Sequence, residues 1–166
     1  ISSDLNNDGY NDIIINGYDN SAGYKVVIWI NNGDGTFIQG LDAPNIISNI
    51  PKIATGDINI DGNQDMIQTY PGFTDVLMGN GDGTFVSAVT YNTGGALNMY
   101  SSILGDLNSD TYPDVTIMGS SGTKILINNG DGTFSISGLY IGSGGSPVGS
   151  IGDLNNDSHI DIVKPI

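Results

Sequence analysis

A nine-residue acidic motif occurs four times along the chain, and this repetition constrains the fold more than any other feature. The copies are Asp4-Leu-Asn-Asn-Asp-Gly-Tyr-Asn-Asp12, Asp57-Ile-Asn-Ile-Asp-Gly-Asn-Gln-Asp65, Asp106-Leu-Asn-Ser-Asp-Thr-Tyr-Pro-Asp114 and Asp153-Leu-Asn-Asn-Asp-Ser-His-Ile-Asp161. Their starts lie 53, 49 and 47 residues apart. A second motif interleaves with the first: Asn32-Gly-Asp-Gly-Thr-Phe37, Asn80-Gly-Asp-Gly-Thr-Phe85 and Asn129-Gly-Asp-Gly-Thr-Phe134. Two motifs sharing one period describe a chain of structural repeats rather than chance similarity.

Between the motifs the chain reads as strands. Ile13-Ile14-Ile15, Lys25-Val-Val-Ile-Trp-Ile30, Val115-Thr-Ile117 and Lys124-Ile-Leu-Ile127 are short, β-branched and bounded by turn residues. No stretch shows a sustained helical period with caps. Asn-Gly-Asp-Gly between a strand and Thr-Phe signals a hairpin, because Asn and Gly accept positive φ. Each repeat then parses as four strands. The first enters the Asp loop, the second leaves it, the third enters the hairpin, and the fourth leaves at the Phe. Four antiparallel strands in about 50 residues make a propeller blade, so the expected class is all-β. The divisions are residues 1–51 (first strand partial), 52–100, 101–147 and 148–166, the last being the start of a fourth repeat. Propellers close with about four to eight blades, so three repeats and part of a fourth cannot close alone.

The 166 residues include 18 Asp, no Glu, four Lys, no Arg, no Cys and one His, for a net charge of −14. Phosphate-backbone binding needs a basic surface, so nucleic acid is not an expected partner. Disulfides and cysteine-ligated zinc are impossible. The longest apolar run, Val26 to Ile30, is too short to insert in a bilayer. With no Glu, Cys or Arg, most catalytic constellations cannot be assembled, and no enzyme activity is expected. The 38% hydrophobic content argues against the disorder that high charge often brings. The chain begins at Ile1, without Met or a leader, as a mature product or an excised piece would.

The Asp loops read as metal sites. Side-chain oxygens fall at positions 1, 3, 5 and 9, with a backbone carbonyl expected at 7, and the Gly at 6 permits a sharp turn. Loop one offers Asp4, Asn6, Asp8, the carbonyl of Tyr10, and Asp12; loop two offers Asp57, Asn59, Asp61, the carbonyl of Asn63, and Asp65. Loop three offers Asp106, Asn108, Asp110, the carbonyl of Tyr112, and Asp114; loop four offers Asp153, Asn155, Asp157, the carbonyl of His159, and Asp161. An all-oxygen, flexible donor set selects Ca²⁺ over octahedral Mg²⁺. An EF-hand is excluded: it needs a bidentate Glu at position 12, where these loops carry Ile15, Gln68, Ile117 or Lys164. Turn formation alone would explain Asp, Asn and Gly, but like charges ~4 Å apart cost about 4 kcal/mol at an effective dielectric of 20. Thr111 and Ser158 replace the turn Gly in loops three and four, so the expectation is three to four Ca²⁺. Extracellular calcium modules bind at roughly 10⁻⁴–10⁻³ M, which places such a chain outside the cell, secreted or on a surface.

These residues resemble the FG-GAP and VCBS repeats, the calcium-loop blades of integrin α-subunit propellers and of many secreted bacterial proteins. The resemblance covers nearly the whole chain. It implies a β-propeller with calcium in the loops between first and second strands, and a structural, adhesive or binding role. Expected partners are neighbouring repeats of a longer chain, other copies of this chain in a closed ring or filament, or a glycan or protein ligand.

Up-and-down strands place the Asp loops and Asn-Gly-Asp-Gly hairpins on one rim and the remaining connections on the other. The stretch from Asp12 to Gly33 spans 21 residues, against 16 in the next two repeats, and the excess falls in Tyr18-Asp-Asn-Ser-Ala-Gly-Tyr24. Repeat proteins commonly carry insertions on the binding face. Tyr18, Tyr24, Tyr70 and Phe73 are the candidate ligand residues there, with Tyr91, Tyr100 and Tyr140 in or beside the same connections. They would suit a sugar, as in a lectin-like propeller, although aromatic edges that cover blade ends explain them as simply. Trp29 lies mid-strand and reads as blade core. Of the acids, Asp19, Asp42 and Asp75 lie outside both motifs, far apart in sequence and poorly placed for hydrolase chemistry.

Overall fold

β-Branched runs bounded by Gly, Asn and Asp form strands wherever the sequence alternates them with turns, and the computed structural model shows fourteen among the residues it describes, which are 1–20, 23–43, 51–94, 99–120, 122–137 and 149–163. No helix occurs among these residues. The first sheet contains β1 (Ser2–Ser3), β2 (Asp12–Asp19), β3 (Gly23–Asn31) and β4 (Phe37–Gln39). The second contains β5 (Lys52–Gly56), β6 (Asp65–Tyr70), β7 (Phe73–Leu77) and β8 (Val89–Asn92). The third contains β9 (Met99–Gly105), β10 (Asp114–Gly119), β11 (Gly122–Asn128) and β12 (Phe134–Ser137). A two-stranded fourth sheet pairs β13 (Ser150–Gly152) with β14 (Asp161–Val163). Every sheet runs in sequence order with antiparallel neighbours, which is the expected blade. None closes into a barrel.

The hydrophobic core lies between blades, because each sheet carries apolar residues on both faces. Leu5, Ile14, Val26 and Ile28 of the first blade meet Met66 and Leu77 of the second. Ile67 and Val76, on the opposite face of the same two strands, meet Val115, Ile117 and Leu126 of the third. The middle blade is therefore covered on both sides, and β6 is buried along its whole length. The first blade has one covered face: Ile14 is 3% exposed while Ile15, on the reverse, is 51% exposed. Trp29 shares that reverse face, opposite Ile13 and Gln39, and is half-buried. It lies outside both buried clusters, so the core role read for it from mid-strand position does not hold for the described residues.

Inner strands converge closely. A Cβ added at Gly56 would sit 2.9 Å from the Leu104 side chain, and one at Gly105 would sit 2.5 Å from Ile151. A side chain at either position would have to push aside Leu104 or Ile151 of the next blade. The second blade departs from expectation at its outer strand. Phe85 makes an isolated pairing with Gly79, and regular pairing resumes at Val89 opposite Val76. One extra residue in 86–88 forms a bulge there. β9 begins at Met99, two residues before the division drawn at 101.

Candidate metal centres

Each Asp loop joins the inner strand of a blade to the next strand, and one pattern of hydrogen bonds recurs in all four. The first Asp accepts twice from the backbone: Asp4 Oδ1 from the Asp8 amide at 3.2 Å and Oδ2 from the Gly9 amide at 2.9 Å. Asp57, Asp106 and Asp153 do the same with the amides four and five residues on. The Asn at position 3 accepts from the same position-5 amide and donates its Nδ2 to the position-5 carboxylate, as in Asn6 and Asp8. Asn59 with Asp61, Asn108 with Asp110, and Asn155 with Asp157 repeat this. The position-5 carboxylate in turn accepts from the position-7 amide of Tyr10, Asn63, Tyr112 or His159. The Asn63 amide is the main reason the Asp61 carboxyl is held below the usual range, with Asn59 adding to it.

Oxygens of positions 1, 3 and 5 thus gather around the backbone of position 5. The donors are carboxylate and amide oxygens without sulfur or imidazole, a set that suits a hard cation such as Ca²⁺. No three acidic or imidazole side chains cluster at metal-binding range among the described residues. The physical reason is visible: the third donor is an amide, and the position-9 Asp is committed elsewhere. Asp12, Asp65 and Asp114 are fully buried. Asp65 Oδ2 accepts from the Ile58 amide and Oδ1 from the Gly79 amide, both at 2.8 Å. Asp12 does so with Leu5 and Asn31, and Asp114 with Leu107 and Asn128. Each clasps the start of its loop to the end of the third strand of its own blade. Asp161 takes the Leu154 amide at 3.0 Å. Burial pushes the Asp65 and Asp114 carboxyls above the usual range; the two backbone N–H groups pull each back, and the other two Asp charges of the loop push it up again.

Loop backbones are the same whether or not Gly is present. Position 6 is left-handed in all four, with φ of +87° at Gly9, +89° at Gly62, +80° at Thr111 and +69° at Ser158. Position 4 is left-handed as well, at Asn7, Ile60, Ser109 and Asn156. Sequence reasoning missed this second requirement, which no Gly marks. It also missed how neighbouring loops are tied. Asn7 Nδ2 donates to Asn63 Oδ1 at 2.8 Å, and Ser109 Oγ lies 3.1 Å from His159 Nδ1, joining blade one to two and three to four through positions 4 and 7. The Tyr10 and Tyr112 rings cover Gly33 and Gly130 of their own blades' hairpins. The Gly83 amide of the second hairpin donates to the Leu5 carbonyl of the first loop at 2.9 Å, so loops and hairpins share one rim as expected.

The opposite rim carries the aromatic candidates as two cross-strand pairs. Tyr18 and Tyr24 oppose each other at the β2–β3 tip, ring centroids 5.0 Å apart and edge to face. Tyr70 and Phe73 flank the β6–β7 turn at 5.8 Å. Tyr18 is exposed and Tyr70 buried, its hydroxyl donating to Asp75 at 3.1 Å. Burial, then the Asp75 charge, pushes the Tyr70 phenol up to about 12. The third blade has Gly119 opposite Gly122 at this place. Tyr91 is not a rim residue: its hydroxyl accepts from the Phe134 amide at 3.0 Å and its ring packs on Phe134 between blades two and three. Tyr140 and the Tyr100 side chain lie outside the described residues.

Four-stranded blades with buried inter-blade cores and loop-bearing inner strands define a propeller-type repeat module, incomplete in this chain. The model of the FG-GAP-like repeat matches three overlapping segments, 4–68, 57–117 and 106–163, and the chain belongs to this family. Among solved structures it is similar to a lectin of Agrocybe aegerita, described for specific recognition of non-reducing terminal N-acetylglucosamine, at 26% identity and a TM-score of 0.68. That match covers 97% of this chain and 44% of the lectin, so the chain spans less than half the lectin's length. No curated protein sequence matches.

Proposed function

We propose that the chain is a non-enzymatic, calcium-stapled propeller module of an extracellular protein, serving a structural, adhesive or binding role. The observation that carries this reading is one hydrogen-bonded turn recurring in four loops, in which the position-1 and position-3 oxygens converge on the position-5 amide and the position-5 carboxylate stands beside them on the position-7 amide. Calcium would be held by those oxygens with Asp12, Asp65, Asp114 or Asp161 beside them, and would supply charge neutralisation rather than chemistry. Four ions would change the net charge from −14 to −6. Each site at ten times its Kd would stabilise the fold by about 1.4 kcal/mol, so four would contribute roughly 6 kcal/mol. Calorimetric titration of chelator-treated protein tests this: three to four ions at sub-millimolar to millimolar Kd are expected, with a higher Tm in calcium. Absence of heat and of any Tm shift refutes it.

A second reading, glycan binding at the aromatic rim, is favoured by the Tyr18–Tyr24 and Tyr70–Phe73 pairs together with the likeness to a lectin. Tyr18 and Phe73 are exposed, each beside its cross-strand aromatic partner, and offer the apolar surface that a pyranose needs. Loss of glycan-array binding in Tyr18→Ala, with the fold retained, supports it; no binding to any glycan in calcium refutes it.

A further inference from the structure

On the rim opposite the Asp loops, strands of the first three blades line an open cavity of about 280 Å³. Ile14 and Asn16 of β2, Lys52 and Ile53 of β5, and Ser102 of β9 line it. Lys52 begins β5 and Gly56 at its other end pairs with Asp65, so the cavity stands roughly 13 Å along the strand from the second Asp loop.

Three features make this a built site. The first is charge. The chain has 18 Asp and four Lys, and three of the Lys are among the described residues. Lys25 pairs with Asp42 at 3.0 Å, and Lys124 is buried and reaches the Gly94 carbonyl. Lys52 is exposed and makes no ion pair among the described residues. The second is an orphan donor: the Ser102 hydroxyl is buried with no hydrogen-bond partner among the described residues. Such a group is a standing cost that an acceptor from a ligand would remove, and Ser102 is among the residues that line the cavity. The third is shape. Ile14 and Ile53 give an apolar wall, and the Asn16 amide is fixed by donating to the Pro51 carbonyl, which leaves its oxygen for a ligand hydroxyl.

We propose that this cavity binds a small carboxylate-bearing molecule, its carboxylate between Lys52 and the Ser102 hydroxyl and its body against Ile14 and Ile53. Ile1 lines the same cavity and its amino group donates to the Ile14 carbonyl at 3.3 Å, so the Lys52 ammonium and the Ser102 hydroxyl are the groups left to meet the two oxygens of one carboxylate. The volume is near the lower bound of about 300 Å³ for ligand pockets, which limits the ligand to roughly a monosaccharide. The proposal is independent of the calcium loops and of the aromatic rim.

Titration by NMR in millimolar calcium, with D-glucuronate, phenylacetate and D-glucose as probes, tests it. Saturable binding of glucuronate identifies an acidic sugar, of phenylacetate an apolar acid, and of both a site that reads the carboxylate alone. Glucose, the uncharged twin, binds at least tenfold more weakly. Lys52→Gln weakens the carboxylate by about tenfold or more while leaving the Tm unchanged, as an exposed side chain should. Ser102→Ala weakens it several-fold. The proposal is overturned if neither carboxylate saturates, if glucose binds as tightly, or if Lys52→Gln binds like the parent chain.

Discussion

Asp65 holds two backbone amides without help from any ion, and replacing it separates a structural carboxylate from a metal ligand. The side chain is fully buried and both oxygens lie 2.8 Å from N–H donors, Ile58 and Gly79. Asp65→Asn keeps the shape but turns one oxygen into an NH₂ group that faces a donor. One charge-assisted hydrogen bond is lost, about 1.5–3 kcal/mol, and a buried amide is left unpaired, about 1–3 kcal/mol. Removing a carboxylate that burial disfavours returns part of this, since desolvation is the largest influence on its titration. A net loss of about 2–4 kcal/mol remains, which for a chain of this size lowers the Tm by roughly 5–15 °C.

The informative comparison is Asp61→Asn, an equally isosteric change at position 5, where the side chain is exposed. Thermal melts followed by circular dichroism are run on both variants in excess chelator and in millimolar calcium. Asp65→Asn is expected to melt early in both conditions, because its clasp belongs to the protein itself. Asp61→Asn is expected to melt near the parent chain in chelator and well below it in calcium. If Asp65→Asn melts with the parent chain in chelator, the clasp argument is wrong. If Asp61→Asn is indistinguishable from the parent in calcium, the second loop does not take up the ion.

Asp75 is buried and accepts from Tyr70 and, at 2.6 Å, from Thr90; burial holds its carboxyl above the usual range. A folded pKa above the unfolded one gives stability that is complete below the unfolded value and fades as pH rises through the folded value. The stability of the parent chain relative to Asp75→Asn should therefore fall as pH rises above the ordinary Asp value of about 3.9, measured by denaturant melts, and a flat difference would contradict it. Thr111 holds φ at +80°, which costs a non-Gly residue about 1–2 kcal/mol, while Gly loses about 0.5–1 kcal/mol more entropy on folding. Thr111→Gly should raise stability by about 0.5–1 kcal/mol, and a lower Tm would show that the Thr side chain supports the loop. Gly79→Ala should destabilise by about 2 kcal/mol or more, since its Cβ would stand 2.1 Å from the Gln64 carbonyl oxygen; an unchanged melt would refute that contact.

The blades were legible because their markers act locally. Asn-Gly-Asp-Gly makes a hairpin through its own φ values and through Thr36, Thr84 and Thr133 closing on the Asp two residues before. Alternation could not reveal which face a residue takes when both faces of a sheet are apolar, and Trp29 was misplaced for that reason. Tyr91 stands beside its connection, opposite Thr74, but its side chain turns between blades onto Phe134, which strand position alone does not tell. The clasp was illegible for another reason. Its donors are the amides of Asn31, Gly79 and Asn128, and a backbone N–H leaves no trace in residue type.

That last point bears on what the repeated acids mean. In every loop the first Asp satisfies the amides of positions 5 and 6, the middle Asp that of position 7, and the last Asp that of position 2. Position 4 is left-handed too and yet varies: it is Asn, Ile, Ser and Asn, and Ile60 is β-branched at +59°. Strain of this kind, about 1–2 kcal/mol at such a residue, persists only where its surroundings over-determine it. The side-chain oxygens do that with hydrogen bonds alone, so the same three acids serve the turn and suit the ion. Their identity therefore cannot distinguish the two roles, whereas the dependence of each substitution on calcium can: a carboxylate that matters in chelator belongs to the turn, and one that matters only in calcium belongs to the ion.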